Sequence, residues 1–210
     1  MTRKRPDLDA AYAVRTPEDN VSLYRDWADT YDTGFAGEMD YRLPQLVAMI
    51  FAEIGPGRSP VLDVGAGTGL LAQNLPTREL LEIDALDISE EMLRVAGQKN
   101  LYRKLIRADL TGPLDIADGT YGAVVSSGTF THGHVGPGAL DELLRIARSG
   151  AAFVLAINAE HFTELGFDAK LRDLGPQIDG LHHHVVQIYG PDAPEERRTD
   201  RAQVAVFSKR

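Results

Sequence analysis

Two periods of apolar spacing divide this chain. Near the start, Val21, Tyr24, Trp27, Ala28 and Tyr31 recur every three or four residues, which predicts a helix over 21–32 with one apolar face. A shorter helix is expected over 8–14, and Gly34 and Gly37 should loosen the chain beyond residue 32. Leu46, Val47, Ile50, Phe51 and Ile54 repeat the stripe up to Gly55, with Pro44 where a helix start tolerates it. Beyond Pro60, short apolar runs at 61–64, 81–87, 101–106, 122–127 and 151–157 predict strands. Helical patterns at 69–75, 90–99, 139–148 and 160–173 are set among them. Such alternation predicts a parallel sheet with crossover helices. The last two runs, 181–189 and 202–208, flank a charged loop too short for a crossover, so they should pair as an antiparallel hairpin. The expected organisation is an N-terminal helical lid segment over 1–55 and a sheet domain over 56–210, one structural domain overall.

The candidate chemistry starts where the first run ends. Val61-Leu62-Asp63-Val64 leads into Gly65-Ala66-Gly67-Thr68-Gly69, and Leu70 opens the next helix. A glycine turn at the end of a parallel strand lets a ligand approach the backbone, because glycine has no Cβ and tolerates positive φ. The dinucleotide fingerprint has the spacing G-x-G-x-x-G. Here the third glycine is one residue early and position 70 is Leu, which argues against a nicotinamide cofactor. An acid at Asp63 repels a pyrophosphate but suits an ammonium group, and S-adenosylmethionine (SAM) carries an ammonium on its amino-acid tail and no phosphate. The second strand ends at Asp87, eighteen residues beyond Gly69, a spacing that suits hydrogen bonding to a ribose diol. Asp84 competes for that role but lies three residues short of the strand end. Ser89 looks like the N-cap of the next helix. Ala108-Asp109-Leu110 closes the third strand in the same way.

These features resemble the class I SAM-dependent methyltransferases, with the glycine turn as their motif I. Tyr24 to Asp32, Ser127 to Gly136 and Leu165-Gly166-Phe167 are similar to the methyltransferase-like proteins related to the Williams-Beuren syndrome region protein. The resemblance spans nearly the whole chain. It implies a Rossmann-like methyltransferase fold: α/β, a doubly wound seven-stranded mostly parallel sheet with the C-terminal hairpin and the helical lid. It implies SAM as cofactor and S-adenosylhomocysteine (SAH) as product. Asp63, Gly65, Ala66, Gly67 and Gly69 are then expected at the methionine tail, and Tyr31 near it. Asp87 and Ile88 are expected at the ribose, Asp109 and Leu110 at the adenine, and Ser126 to Phe130 beside the transferred methyl. Met92 and Ala108 complete the expected cofactor-binding set. Two departures stand out. Arg148-Ser149-Gly150 replaces the usual Pro-Gly-Gly turn. Ser126-Ser127-Gly128-Thr129 stands where base or glutamine methylases carry Asn-Pro-Pro-Tyr, which argues against nucleobase acceptors.

Composition narrows the setting. Of 210 residues, 43% are hydrophobic, enough for a packed core. A formal charge of −9 disfavours nucleic acid as partner, since phosphate contacts dominate that affinity. The absence of cysteine excludes disulfides and thiolate metal sites. No apolar run approaches a membrane span, no apolar segment comes after the basic start, and a cytoplasmic protein is expected. The expected partner is a small-molecule substrate, and the oligomeric state is left open.

His132 and His134 lie past the fourth strand, where His132 is the candidate general base; Tyr24 is a second candidate catalytic group. Asn158, Glu160 and His161 are candidates for the acceptor pocket. His182, His183 and His184 alternate across a strand and cannot converge on one ion, so no metal is expected. Three activities stay open: methyl transfer to a small molecule, methyl transfer to protein or tRNA, and SAM binding without catalysis in a regulatory or scaffold protein.

Overall fold

The computed structural model describes residues 22–25, 27–76, 78–131 and 135–210. The helix expected over 8–14 lies outside them, as do His132 and His134.

Residues 22–25 are helical, Ala28–Thr30 is a 3-10 turn and Tyr31–Ala36 is a π-helix. The helix expected to end near 32 therefore runs through Gly34 in a widened form. Its ring contacts give the reason. Trp27, Tyr31 and Phe35 stack along one side, with centroids 5.3 Å (Trp27–Tyr31), 5.1 Å (Tyr31–Phe35) and 4.9 Å (Trp27–Phe35) apart. A π-turn inside a helix frequently marks a functional site.

The next helix, α1 (Leu43–Ile54), has Pro44 in its first turn and stops at Gly55. Leu43, Val47, Ala48 and Phe51 are buried against Val61, Val125 and Val154 of the sheet. Although the 1–55 boundary groups α1 with the lid, it packs as part of the sheet domain's core.

Next come β1 (Val61–Val64), α2 (Leu70–Gln73), β2 (Ile83–Asp87), α3 (Glu90–Gln98), β3 (Lys104–Arg107) and β4 (Tyr121–Phe130). The chain continues as α4 (Ala139–Ile146), β5 (Ala147–Asn158), α5 (His161–Glu164), α6 (Phe167–Asp173), β6 (Ile178–Gln187) and β7 (Arg201–Lys209). The seven-stranded sheet has the order β3-β2-β1-β4-β5-β7-β6. The five strands β1 to β5 pair in parallel, and β7 is antiparallel to both β5 and β6. The two faces carry separate cores. Leu62, Val64, Val124 and Phe153 pack with α4 and α6 on one side, and Val61, Ile83, Val125 and Val154 pack with α1 and α2 on the other. Helices on both faces explain why β1 and β2 are buried along nearly their whole length rather than at alternate positions.

Several boundaries moved. β3 begins at Lys104, not 101, because Leu101 and Tyr102 are packed beneath the sheet end instead. The expected helix over 139–148 stops at Ile146, since Ala147 already pairs with Tyr121 ahead of a bulge at Arg148–Gly150. The helix over 160–173 is split by Gly166 at φ 82°. β6 starts three residues early, with a bulge at Gly180. Tyr189 leaves the strand to bridge Tyr41. Among the described residues no helix is long and apolar enough to cross a membrane.

Candidate active site

The order β3-β2-β1-β4 reverses direction at β1 and β4, and open α/β sheets bind ligands at such a switch, outside the carboxyl ends of the strands. A cleft opens there. Its floor is Gly65 to Thr68 after β1, Asp87-Ile88 after β2, Ala108 to Leu110 after β3 and Ser127 to Thr129 in β4. Tyr24, Tyr31 and Tyr41 form the opposite wall.

The glycine turn is shaped by its neighbours. Gly65 sits at φ +63°, and a methyl group there would overlap Thr129 Oγ1. Gly67, at φ +55°, faces open space, so its missing side chain leaves room in the cleft. The Gly67 N–H donates to Asp87 Oδ2 at 2.8 Å, and the Ser89 N–H donates to Oδ1 at 2.8 Å. Asp87 thus ties the turn to the start of α3, where Ser89 Oγ accepts from the Met92 N–H as its N-cap. Burial pushes the Asp87 carboxyl upward, opposed by the N–H donors of Ser89, Gly67 and Ile88. With three donors on about four lone-pair sites, the carboxylate keeps acceptor capacity for a hydroxyl. Asp84 has a different task. It is buried in the sheet, bound by the Arg103 guanidinium at 2.9 Å on both oxygens and by the Tyr121 hydroxyl at 2.9 Å.

Tyr24, Tyr31, Gly65, Ala66, Gly67, Asp87, Ile88, Met92, Ala108, Asp109 and Leu110 all line the cleft. Asp109 is exposed, and its Oδ1 accepts from the Thr111 N–H and hydroxyl at 2.8 Å each. Three expected residues lie behind the lining. Asp63 is 1% exposed, and the Tyr102 hydroxyl donates to its Oδ2 at 2.7 Å. Burial raises the Asp63 carboxyl to about 7, the Tyr102 bond opposing and the Asp87 charge adding. Gly69 caps α2 at φ 88° with the Tyr102 ring against it. Ser126 is buried, its Oγ 2.8 Å from the Val64 carbonyl and 2.9 Å from Thr129 Oγ1, which itself donates to Val64 at 2.8 Å. That group fixes the spacing of β1 and β4 rather than facing the cleft.

Sequence reasoning missed Tyr41, Thr68 and Asp32. Tyr41 donates to the Ser127 carbonyl at 2.7 Å, across a separation of 86 residues that leaves no local signal. Asp32, on the π-helix, accepts from Thr68 Oγ1 on the glycine turn and from Lys99 Nζ at the end of α3. The aromatic segment is thereby fastened to the turn it covers.

A second cavity, about 580 Å³, adjoins the first. The two share Tyr24, Tyr31, Tyr41 and Gly128. Burial, helped by Tyr41, Tyr24 and Tyr189, holds the Tyr31 hydroxyl well above its ordinary range, so it stays a proton donor. Asn158 lines this second cavity and accepts the Glu160 N–H at 2.9 Å. Glu160 and His161 are not among its lining residues, and His161 Nδ1 meets Glu164 at 3.3 Å. On β6, the His182 and His184 rings are 5.3 Å apart while His183 packs on Phe162. Among the described residues no cluster could hold a metal ion.

Residues 62–155 match the family model described as a methyltransferase domain. The chain is 32% identical over 143 residues to the human Methyltransferase-like protein 27, covering 66% of this chain and 58% of that one. The match agrees with the likeness to the Williams-Beuren region proteins. It is 35% identical over 114 residues to a malonyl-[acyl-carrier protein] O-methyltransferase from Geobacter sulfurreducens, covering 52% of this chain and 41% of that one. The chain thus spans little more than half the human relative's length. A solved DhpI–SAH complex shares the fold, with 19% identity, a TM-score of 0.62, and coverage of 91% of this chain and 96% of that one.

Proposed function

From the premise that residues 62–155 form a methyltransferase domain, we propose that this protein transfers a methyl group from SAM to a small molecule. The observation that carries the reading is the pair of joined cavities, one floored by the glycine turn and Asp87, the other walled by aromatic rings. The residues present fit SAM. Gly67 leaves open space at the turn, and Asp87 offers acceptor capacity at the end of β2. One solved structure of the same fold is a DhpI–SAH complex.

Asp87 is assigned to the ribose hydroxyls, Ile88 and Met92 to packing beside it, and Ala108 to Leu110 to the adenine. Gly65 to Thr68 take the methionine end, with Tyr31 closing over it. Asp63 supports the turn from below through Tyr102 instead of facing the tail. When bound, SAM supplies an electrophilic methyl on a sulfonium; its C–S bond breaks as the acceptor's lone pair forms the new bond, leaving the neutral thioether SAH and a proton lost from the acceptor. The chain's own contribution is alignment and exclusion of water. Tyr24, Tyr31 and Tyr41 stand where the two cavities meet, and the Asp32 ties to Thr68 and Lys99 hold that wall in place. His132, which follows Thr131 in the sequence, remains the proposed base.

The test is calorimetric titration with SAH, with NAD as the comparison ligand. One-to-one binding of SAH alone is expected; binding of NAD alone, or of neither, overturns the reading. A screen of acceptor classes with methyl-labelled SAM then separates enzyme from regulatory binder: SAH binding with no transfer to any acceptor favours the latter.

A further inference from the structure

We infer that the second cavity seats an uncharged, flat, aromatic acceptor and turns away carboxylates and phosphates; this rests on the cofactor reading above. The walls carry the argument. Trp27, Tyr31 and Phe35 come from the π-helical segment, Tyr41 and Tyr189 from the two loops that bridge above it, and Phe130 from the end of β4. Trp27 is 4% exposed, Phe130 1% and Tyr189 3%. The Tyr41 and Tyr189 rings are 5.7 Å apart, and Phe35 lies 5.5 Å from Tyr41. Such spacings leave ring faces and edges as the contact surface, which suits another flat ring.

Charge is the deciding property. Among the described residues lining this cavity there is no Asp, Glu, Lys, Arg or His. Its polar groups are tyrosine hydroxyls, the Thr131 hydroxyl and the Asn158 side chain, all neutral. An ionised carboxylate or phosphate entering it would give up water with no cation among the described lining residues to replace it. Charged groups on the covering segment are engaged outside the cavity. Asp32 is held by Thr68 and Lys99, and Asp40 by Arg42. Aromatic faces also attract cations, but a quaternary ammonium has no lone pair to accept a methyl. An uncharged phenol, aryl alcohol or arylamine meets both demands: ring contact, and a lone pair presented toward Gly128, where the cavities join.

The chain contains one tryptophan, and Trp27 is in this wall, so its emission reports occupancy of the seat. The experiment titrates the full chain, with and without saturating SAH, at about pH 8, where imidazoles are neutral. Three probes of one ring size are used: benzyl alcohol, benzoate and benzyltrimethylammonium. Benzyl alcohol should perturb Trp27 saturably and bind at least about tenfold more tightly than benzoate, a difference of about 1.4 kcal/mol. Benzoate binding as tightly as benzyl alcohol overturns the proposal, and so does benzyltrimethylammonium binding more tightly than the alcohol. No Trp27 response to the alcohol in a protein that binds SAH also overturns it. A saturable response to the alcohol in a protein that does not bind SAH supports the seat's chemistry while overturning the cofactor reading.

Discussion

Replacing Asp87 with alanine isolates the one carboxylate that joins the glycine turn to the end of β2. In the parent, its two oxygens each accept a backbone N–H at 2.8 Å, from Gly67 and Ser89. Burial already pushes this carboxyl upward, so removing it relieves a desolvation cost while breaking those two bonds. The effects partly cancel in the free protein, and the melting temperature should fall only by a few degrees. No such offset applies to binding. The ribose diol loses a charged acceptor, and a hydrogen bond to a charged group contributes about 1.5–3 kcal/mol. At about 1.4 kcal/mol per tenfold change, the SAH dissociation constant should rise about 10- to 150-fold. The assay is calorimetric titration of parent and variant, with circular dichroism to show that the variant is folded. Asp87→Asn should also bind weakly, because its amide turns an N–H₂ toward a backbone donor. A folded Asp87→Ala protein whose dissociation constant stays within twofold of the parent would refute the ribose assignment.

Other consequences can be checked separately. Folded Asp63 keeps its proton up to about pH 7, whereas an unfolded carboxyl releases it near its usual value of about 4. Between those values the folded state binds more protons, so this group's contribution to stability falls as pH rises, by at most about 1.4 kcal/mol per unit. Asp63→Asn should flatten that slope in urea melts taken across the window, and an unchanged slope would count against a carboxyl raised by burial at this position. Alanine at Gly65 or Gly67 meets about 1–2 kcal/mol of strain from positive φ. Gly65→Ala adds the collision with Thr129 and should melt lower, while Gly67→Ala should lose SAH affinity by more than about tenfold because its methyl enters the cleft. Equal melting temperatures would contradict this division. Asp32→Asn loosens the tie to Lys99 and should speed tryptic cleavage at exposed Arg25 by up to about fivefold, the equivalent of about 1 kcal/mol; an unaltered cleavage rate would show that the tie does not hold the segment.

Much of this molecule is written in local order along the chain. Short runs at 61–64 and 83–87, apolar except for their aspartates, announce strands, and Gly65 to Gly69 announces the turn because only glycine adopts positive φ there without strain. The step from Asp87 to Ser89 marks a strand end and a helix cap within three residues, each a rule of nearest neighbours. These local signals name most of the residues that line the first cavity. What they left undecided depends on which distant segments meet. Asp63 shares a face of β1 with Val61, opposite Leu62 and Val64, so the strand's pleat points it under α2; only Tyr102, thirty-nine residues on, decides that its partner is a phenol below the turn. Asp32 looks like any loop acid until the fold brings Thr68 and Lys99 to it. The widened π-turn over Tyr31–Ala36 contradicts the glycine at 34 because edge-on and tilted ring contacts outweigh a helix propensity of about 1 kcal/mol. The second cavity gathers Trp27, Tyr41, Phe130 and Tyr189 from four separate parts of the chain. Spacing determines what a residue's neighbours in sequence permit; packing of remote segments determines which side chains face the same space, and in this protein that is where the two cavities, and the wall between them, were decided.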